Sequence, residues 1–251
     1  MGVICPDCLR QGQQATRRPL GRRLRAVTQN DKPLVTYWII GICVAVFALQ
    51  WLIQPFVTQA IWYAPAYGIP GQFEPWRMVT SMFAHSPGFI FHILLNMYSL
   101  WIFGRTLELF LGRWRFLALY LVSGFAGSVM VLLSGYLSQD YLLTPVVGAS
   151  GAIFGLLGAF LVIQRTGGGQ TRQLLVLLGI NFVITFLPGM NIAWQAHVGG
   201  LIGGLVVAAI YMYARKPQQK WLRVGLVAAW AAALIVLSCA YFVVPYTTFW
   251  S

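Results

Sequence analysis

The feature that most constrains this chain is a series of apolar windows, each about as long as a bilayer is thick. A helix needs roughly 20 predominantly apolar residues to cross the hydrocarbon core of a membrane. Seven such windows, two of them short, lie at Leu34–Ile53, Gly88–Gly104, Trp114–Tyr136, Pro145–Gln164, Gln173–Pro188, Ala193–Tyr213 and Trp221–Val244. Only 9% of the residues are charged, against about 25% in a soluble domain. The sequence therefore predicts an all-α, polytopic membrane protein.

The basic residues indicate how the chain is oriented in the membrane. It has 17 Lys and Arg against 5 Asp and Glu, a formal net charge of +12. If the windows alternate in direction, every basic residue except Arg77 falls on the side of the N-terminus. Because basic residues accumulate in cytoplasmic loops, we expect a cytoplasmic N-terminus and an extracytoplasmic C-terminus in the plasma membrane. The charge is thus explained by topology, and we expect the lipid bilayer, not nucleic acid, as its partner.

Two polar side chains within the windows suggest a catalytic pair. Polar groups at membrane depth are costly and are functional candidates by default. Counted at about 1.5 Å per residue, Ser150 and His197 both lie roughly 8 to 9 Å below the outer surface. A serine needs an adjacent base to act as a nucleophile, and imidazole suits that role near pH 7. No carboxylate lies at that depth, so the sequence predicts a Ser–His dyad.

Small residues beside both side chains explain how their helices could meet. Gly151 and Gly155 form one GxxxG pair, and Gly200 and Gly204 form another that shares the helical face of His197. Such pairs let helix backbones approach closely. Taken singly, the polar residues also have structural explanations, since a membrane serine usually bonds its own i−4 carbonyl. A histidine can simply pack, and agreement in depth and chemistry favours a site.

Acyl transfer also needs donors for an oxyanion. His92 and Asn96 are four residues apart and project from one helical face of the second window. They lie at the predicted depth of Ser150, whose own backbone N–H supplies another donor. Gly148 would let the backbone approach a substrate closely. The predicted oxyanion donors are therefore His92, Asn96 and the Ser150 N–H.

At these residues the sequence resembles the rhomboid family of intramembrane serine proteases. The matching motifs fall in family order between residues 76 and 204. They are Trp76-Arg77, His92-xxx-Asn96, Gly104-xxx-Glu108, Gly148-Ala149-Ser150-Gly151 and Ala196-His197-xx-Gly200-xxx-Gly204. Each motif alone is weak, and their combination is specific.

The resemblance implies a six-helix rhomboid core at residues 34–213, with Ser150 as nucleophile and His197 as general base. It implies structural roles for Trp76 and Arg77 in the first outer loop, and for Glu108 and Arg105 in a cytoplasmic network. Residues 1–33 would form a basic cytosolic head. Residues 214–251 would add a linker, a seventh transmembrane helix and a short outer tail. This layout resembles the bacterial 6+1 form, and the head resembles that of actinobacterial members.

The sequence departs from the family pattern in two places, and it carries one cysteine pair near the N-terminus. Phe154 stands where many members have tyrosine, so stacking on His197 is expected without a phenol hydrogen bond. The gap from His85 to His92 is longer than usual, so we expect His85 to brace the loop. Cys5 and Cys8 form half of a tetrahedral zinc site. They are a remnant, a site shared between chains or a reactive pair, and no cofactor is expected.

The predicted function is endopeptidase cleavage of transmembrane segments in other membrane proteins, near their extracytoplasmic end. Two alternatives are a catalytically inactive relative that escorts membrane proteins, and a small-solute transporter. The first is disfavoured because Ser150 and His197 are both present. The second is disfavoured because the polar residues cluster near one face, away from the midplane position typical of transporters. The substrate, the oligomeric state and the element that gates entry stay open.

Overall fold

The computed structural model describes residues 32–186 and 192–245, and these are helical apart from short connections. The long helices are α1 (Leu34–Leu52), α2 (residues 90–111), α3 (Arg113–Ser134), α4 (Ser150–Thr166), α5 (Arg172–Thr185), α6 (Trp194–Tyr213) and α7 (Lys220–Ser238). Short helices lie at Phe56–Ile61, Pro65–Gly68, Arg77–Thr80, Gln139–Leu143, Pro217–Gln219 and Ala240–Val243. Within the described ranges, extended pairing is limited to one isolated antiparallel bridge, between Tyr63 and Val146.

The prediction of an all-α polytopic membrane protein is confirmed. Of the helices described, α1, α3, α6 and the stretch Pro217–Ser238, which includes α7, are long and apolar enough to cross a membrane. Helices α4 and α5 are apolar but shorter. The seven long helices correspond in order to the seven predicted windows, although two boundaries differ in ways that matter for the site.

Helix α2 continues beyond the predicted boundary at Gly104. It consists of the α-helical Ile90–Ser99, a π-helical turn at Leu100–Gly104 and the α-helical Arg105–Leu111. The window that ends at Gly104 is one of the two short ones, and the helix extends it through the flanking residues to Leu111. Glu108, which lies in this extension, is only 2% exposed. Its carboxylate accepts hydrogen bonds from the N–H groups of Val35 and Thr36 at 2.9 and 2.7 Å, and from the Thr36 hydroxyl at 2.8 Å.

Helix α4 begins at Ser150, five residues after the predicted start at Pro145. The preceding segment is non-helical: Val146 pairs with Tyr63, and the Gly148 N–H donates to the Ser81 carbonyl at 3.0 Å. At about 1.5 Å per residue, α4 is roughly 25 Å long, shorter than a hydrocarbon core of about 30 Å. A helix this short leaves room at one end for a recess.

Helix α4 is the centre of the bundle and packs mainly against α6 and α3. Its residues from Gly151 to Ala159 are all buried. The α4–α6 contact is made backbone to backbone. A Cβ added at Gly200 would overlap the Gly151 carbonyl oxygen, and one added at Gly204 would overlap the Gly155 carbonyl oxygen. The predicted glycine pairs therefore lie in the interface between the serine helix and the histidine helix.

The loop between α1 and α2 is held together by one buried arginine. Arg77 donates to the Gln59 carbonyl at 2.6 Å and to the Trp62 carbonyl at 3.2 Å, and it forms an ion pair with Glu74. Its guanidinium also lies 4.1 Å from the centroid of the Tyr67 ring. The neighbouring Trp76 is 55% exposed, so its side chain contributes little to this internal network.

Helix α7 lies at the edge of the bundle. Of its residues, only Leu234 and Ser238 are buried, and it contacts α3 and α6. This arrangement fits a seventh helix added to a six-helix core. The domain boundaries at residues 33 and 213 stay predictions, and the head with Cys5 and Cys8 lies outside the described residues.

The α4–α6 contact generates a stability prediction. Replacing Gly204 with Ala forces a methyl group into the Gly155 backbone, so the helices must separate. We expect Gly204→Ala to destabilise the fold by roughly 1–3 kcal/mol, the usual cost of overpacking. Thermal unfolding of the purified protein in lipid or detergent measures this as a lower midpoint temperature.

Gly225→Ala is the matched control, because Gly225 is also helical and no described residue lies within 4 Å of a Cβ added there. Its midpoint should stay at or above that of the wild type, since alanine is the better helix former. Equal midpoints for all three proteins would contradict the proposed tightness of the interface.

Candidate active site

The structure brings together the two side chains predicted to form the dyad. Ser150 is the first residue of α4, and His197 lies in the first turn of α6. His197 Nε2 is 2.9 Å from Ser150 Oγ, within hydrogen-bonding distance. His197 is 5% exposed, whereas Ser150 is half-buried. The pair therefore lies inside the bundle, with its serine partly accessible.

The imidazole of His197 is held on two sides. The Phe154 ring stacks on it, with centroids 4.1 Å apart and planes 10° from parallel. Phe154 lies one turn after Ser150 on α4, so the same helix supplies both the reactive oxygen and the platform for the ring. On its other edge, His197 Nδ1 is 3.1 Å from Thr185 Oγ1 of α5. The ring, which belongs to α6, thus contacts two other helices, α4 and α5.

The start of α4 provides backbone donors beside the Ser150 oxygen. The first N–H groups of a helix have no acceptor within that helix. Here the first helical backbone bond links the Ile153 N–H to the Ala149 carbonyl. The N–H groups of Ser150 and the two residues after it therefore have no acceptor within α4. The helix dipole adds a partial positive charge at this end, which favours an anion.

Gly148 places His92 at the same recess. The glycine has φ +130°, a conformation that L side chains rarely adopt. A Cβ added there would lie 2.8 Å from His92 Nε2 and 3.7 Å from Ser150 Oγ. The histidine nitrogen and the serine oxygen therefore border one small space, which the absent side chain of residue 148 leaves open.

The hydrogen bonds of His92 and Asn96 show which of their nitrogen atoms are available as donors. His92 Nδ1 accepts from the Ser86 N–H at 3.3 Å, so in the neutral ring the proton resides on Nε2. Asn96 is 7% exposed, and its Nδ2 donates one of two protons to the His92 carbonyl at 2.7 Å. Asn96 Oδ1 is buried and has no hydrogen-bond partner among the described residues. Each side chain thus keeps one N–H that makes no hydrogen bond to another residue in that part of the chain.

The remaining predicted residues lie away from the recess. Glu108 binds the start of α1, and its predicted network with Arg105 involves no ion pair within the described ranges, where Arg77–Glu74 is the pair that is found. Groups of three or more residues suited to hold a metal ion are absent from the part of the chain that the structure describes. Cys5 and Cys8 lie outside that part.

Sequence reasoning missed Thr185 and Gln50. Thr185 occurs in an apolar window twelve residues before His197, and its hydroxyl was one of the few polar groups near that histidine in sequence. Gln50 is fully buried within α1, and its amide exchanges two hydrogen bonds of 2.9 Å with the backbone of His85. Both could have been found by extending the survey of polar residues in the apolar windows to amides and threonines.

His85 stands beside the site, and its ring makes no hydrogen bond to another described residue. The ring lies 5.2 Å from the His92 ring, centroid to centroid. Burial, with a smaller contribution from His92, lowers the pKa of His85 to about 3. The ring is therefore neutral at physiological pH, and the backbone contact with Gln50 makes His85 a brace for the loop before α2.

The fold and the site together define a class of protein. A polytopic helical bundle carries a hydrogen-bonded Ser–His pair at a recessed helix start, with free N–H donors around one small space. A Ser–His pair inside a membrane bundle is typical of intramembrane serine hydrolases. Comparison with known proteins agrees: the sequence profile of the Rhomboid domain family matches residues 72–214. The chain belongs to the rhomboid family.

Several named relatives support this assignment over longer stretches. The chain is 32% identical over 194 residues to the rhomboid protease GluP of Bacillus subtilis, covering 73% of this chain and 36% of GluP. It is 30% identical over 205 residues to YdcA of the same organism, covering 77% of this chain and 98% of YdcA. With the rhomboid protease GlpG of Klebsiella pneumoniae it shares 32% identity over 183 residues, covering 70% and 62%. The match thus spans about a third of GluP.

The geometry around Gly148 generates a second prediction. Gly148→Ala would strain the backbone and push a methyl group towards His92 Nε2, which would close the space next to Ser150. We expect at least a tenfold slower labelling of Ser150 by a fluorophosphonate probe, because strain of 1–3 kcal/mol and a displaced donor both act on the site. Mass spectrometry of the labelled peptide measures the rate.

Gly71→Ala separates strain from steric closure. Gly71 also has a positive φ, of +89°, but no atom of the described part of the chain lies within 4 Å of a Cβ added there. It should label at nearly the wild-type rate. If the Gly148 and Gly71 variants lose labelling equally, general destabilisation explains the loss and the contact with His92 does not.

Proposed function

We propose that this chain is an intramembrane serine endopeptidase that cleaves transmembrane segments of other membrane proteins by a Ser–His dyad. The observation that carries the proposal is the 2.9 Å separation of Ser150 Oγ and His197 Nε2 inside a helical membrane bundle. The names of its relatives GluP and GlpG, both rhomboid proteases, support the same activity. The dyad, the oxyanion donors and the substrate class are proposals.

The reaction begins at the Ser150 oxygen. As Oγ attacks the scissile carbonyl carbon, its proton passes to His197 Nε2, and the carbonyl oxygen becomes an oxyanion. His197 then gives that proton to the leaving amine, the C–N bond breaks, and an acyl-enzyme on Ser150 remains. A water molecule, deprotonated by His197, attacks the acyl carbon, and the bond between that carbon and Ser150 Oγ then breaks. His197 gives the proton to the departing Ser150 Oγ, so the second product is released and both side chains return to their neutral forms.

In this proposal the oxyanion is stabilised by the three predicted donors. The Ser150 N–H at the start of α4 donates one hydrogen bond, and the helix dipole adds favourable potential. His92 Nε2–H is a second donor, since the Ser86 N–H occupies the other ring nitrogen. Asn96 Nδ2 retains one proton for a third. Fixed donors in a site largely shielded from water need little reorganisation as charge develops.

The position of the serine limits which bonds can be cut. Ser150 begins a helix of roughly 25 Å, so its oxygen lies below one membrane surface and the substrate must reach it from within or beside the bilayer. A transmembrane helix hides its carbonyls in internal hydrogen bonds. The substrates are therefore segments weakened by Gly, Pro or polar residues, with a small residue at the cut, near their extracytoplasmic end.

The direct test is cleavage of a single-span reporter protein by the purified enzyme in lipid vesicles. The wild type should cleave, whereas Ser150→Ala and His197→Ala should lose at least 10³-fold of the rate, as loss of a nucleophile or its base does in serine hydrolases. Equal cleavage by wild type and Ser150→Ala would overturn the mechanism. If the wild type does not cleave the reporter but its Ser150 reacts with a fluorophosphonate, the reporter is an unsuitable substrate. If the wild type neither cleaves the reporter nor reacts with the probe, the result favours an inactive protein that escorts other membrane proteins.

The distribution of basic residues generates a prediction about orientation. We propose a plasma-membrane protein with its N-terminus in the cytoplasm, so that Ser150 opens towards the extracytoplasmic side. Alkaline phosphatase folds only outside the bacterial cytoplasm. Fused after Ser251, it should be active, and fused after Thr171, between α4 and α5, it should be inactive. The reverse pattern would contradict both the orientation and the extracytoplasmic cut.

A further inference from the structure

Thr185, the last residue of α5, contacts the proposed catalytic histidine from a helix that is otherwise at the margin of the bundle. Its Oγ1 is 3.1 Å from His197 Nδ1 and 3.0 Å from the Asn181 carbonyl oxygen. Thr185 is 5% exposed, and Leu174 is the other buried residue of α5. Most of the remaining apolar side chains of this helix are exposed to the surroundings. The contact with His197 is therefore the main polar link between α5 and the site.

The protons of this chain of bonds can be assigned from chemistry alone. A carbonyl oxygen only accepts, so the bond to Asn181 uses the single hydroxyl proton of Thr185. The hydroxyl oxygen then has only lone pairs to offer to His197, so Nδ1 must carry the ring proton. Neutral imidazole has one N–H, which leaves Nε2 unprotonated and facing Ser150 Oγ. This is the tautomer in which His197 can take the serine proton.

The opposite tautomer would be unproductive. With its proton on Nε2, the ring would donate to the Ser150 oxygen and could not accept from it. The Thr185 hydroxyl has one proton, so it could then donate to His197 Nδ1 or to the Asn181 carbonyl but not to both. Only the first arrangement satisfies all three hydrogen bonds together. In serine hydrolases with a triad, a carboxylate holds the tautomer, and within the described ranges no carboxylate forms a hydrogen bond to His197.

We propose that Thr185 is a positioning residue that holds His197 in the Nδ1–H tautomer and supports its ring as the proton arrives from Ser150. This inference rests on the proposed function of the Ser150–His197 pair. Because Thr185 belongs to α5, the position of that helix against the bundle affects how well His197 acts as a base. Displacement of α5 from the bundle removes the acceptor from Nδ1, and the dyad then works about tenfold more slowly until the helix returns.

The test compares the kinetics of Thr185→Val and Thr185→Ser on the reporter substrate in lipid. Valine keeps the shape but leaves the His197 Nδ1–H without an acceptor. We expect kcat to fall about tenfold with KM unchanged, the effect of one lost hydrogen bond felt mainly in the transition state. Serine keeps the hydroxyl, and kcat should recover to within about twofold of the wild type, since the same bonds can form.

Thr166→Val is the matched control. Thr166 also ends its helix and donates to an i−4 carbonyl, that of Val162, but it is exposed and far along α4 from Ser150. Its kcat should equal that of the wild type. The proposal is overturned if Thr185→Val retains wild-type kcat, or if Thr185→Ser is as slow as Thr185→Val, which would indicate packing alone. If the valine variant does not fold, Thr185→Ala against Thr185→Ser makes the same comparison, because these two side chains differ only by the hydroxyl.

A second readout keeps this inference distinguishable from the proposed protease function. Labelling of Ser150 by a fluorophosphonate needs the base but no protein substrate. If the wild type cleaves no reporter but labels at Ser150, and Thr185→Val labels about tenfold more slowly, the positioning role stands while the substrate class fails. If Ser150→Ala cleaves as the wild type does, the dyad itself fails, and the inference is withdrawn with it.

Discussion

The contact between the backbones of α4 and α6 is the constraint on which the rest of the site depends. Gly200 and Gly204 have no Cβ, so the carbonyl oxygens of Gly151 and Gly155 can occupy the positions that a Cβ would need. In a bilayer, where lipid tails are as apolar as the side chains, such close packing is a main source of helix association. The same contact sets the distance between Ser150 and His197, so the stability of the bundle and the geometry of its chemistry share one interface.

Around that interface, each polar group of the site is held by a different part of the chain. Phe154 of α4 supports one face of the imidazole, and Thr185 of α5 bonds its far nitrogen. His92 of α2 is oriented by the backbone of the preceding loop, which Gln50 of α1 holds in turn. Buried polar networks are costly when incomplete and rigid when satisfied. The site is therefore a network in which the orientations of two imidazole rings, those of His92 and His197, depend on the positions of several helices.

Sequence reasoning predicted the helical fold and the proximity of Ser150 and His197 because both follow from strong local signals. Window length indicated the helices, and the shared depth of Ser150 and His197, with glycines beside each, indicated the pair. It could not place the helix ends that a distant partner decides. The start of α4 at Ser150 depends on the pairing of Val146 with Tyr63, and the continuation of α2 past Gly104 depends on the first turn of α1. Thr185 was missed because a threonine in an apolar window carries little signal until its neighbour is known.

The carboxylate of Glu108 has a consequence for the order in which this membrane protein is assembled. The first turn of α1 is completed by an acceptor that follows it by 72 residues in the chain. Until α2 has been synthesised and inserted, the N–H groups of Val35 and Thr36 must find water or lipid headgroups instead, since the bilayer core supplies no acceptor. Once both helices are in place, the Glu108 carboxylate accepts hydrogen bonds from these two N–H groups. Neither the charge nor the donors are then buried without a partner. Helix α1 can therefore dock in its final position only after the second span has been synthesised.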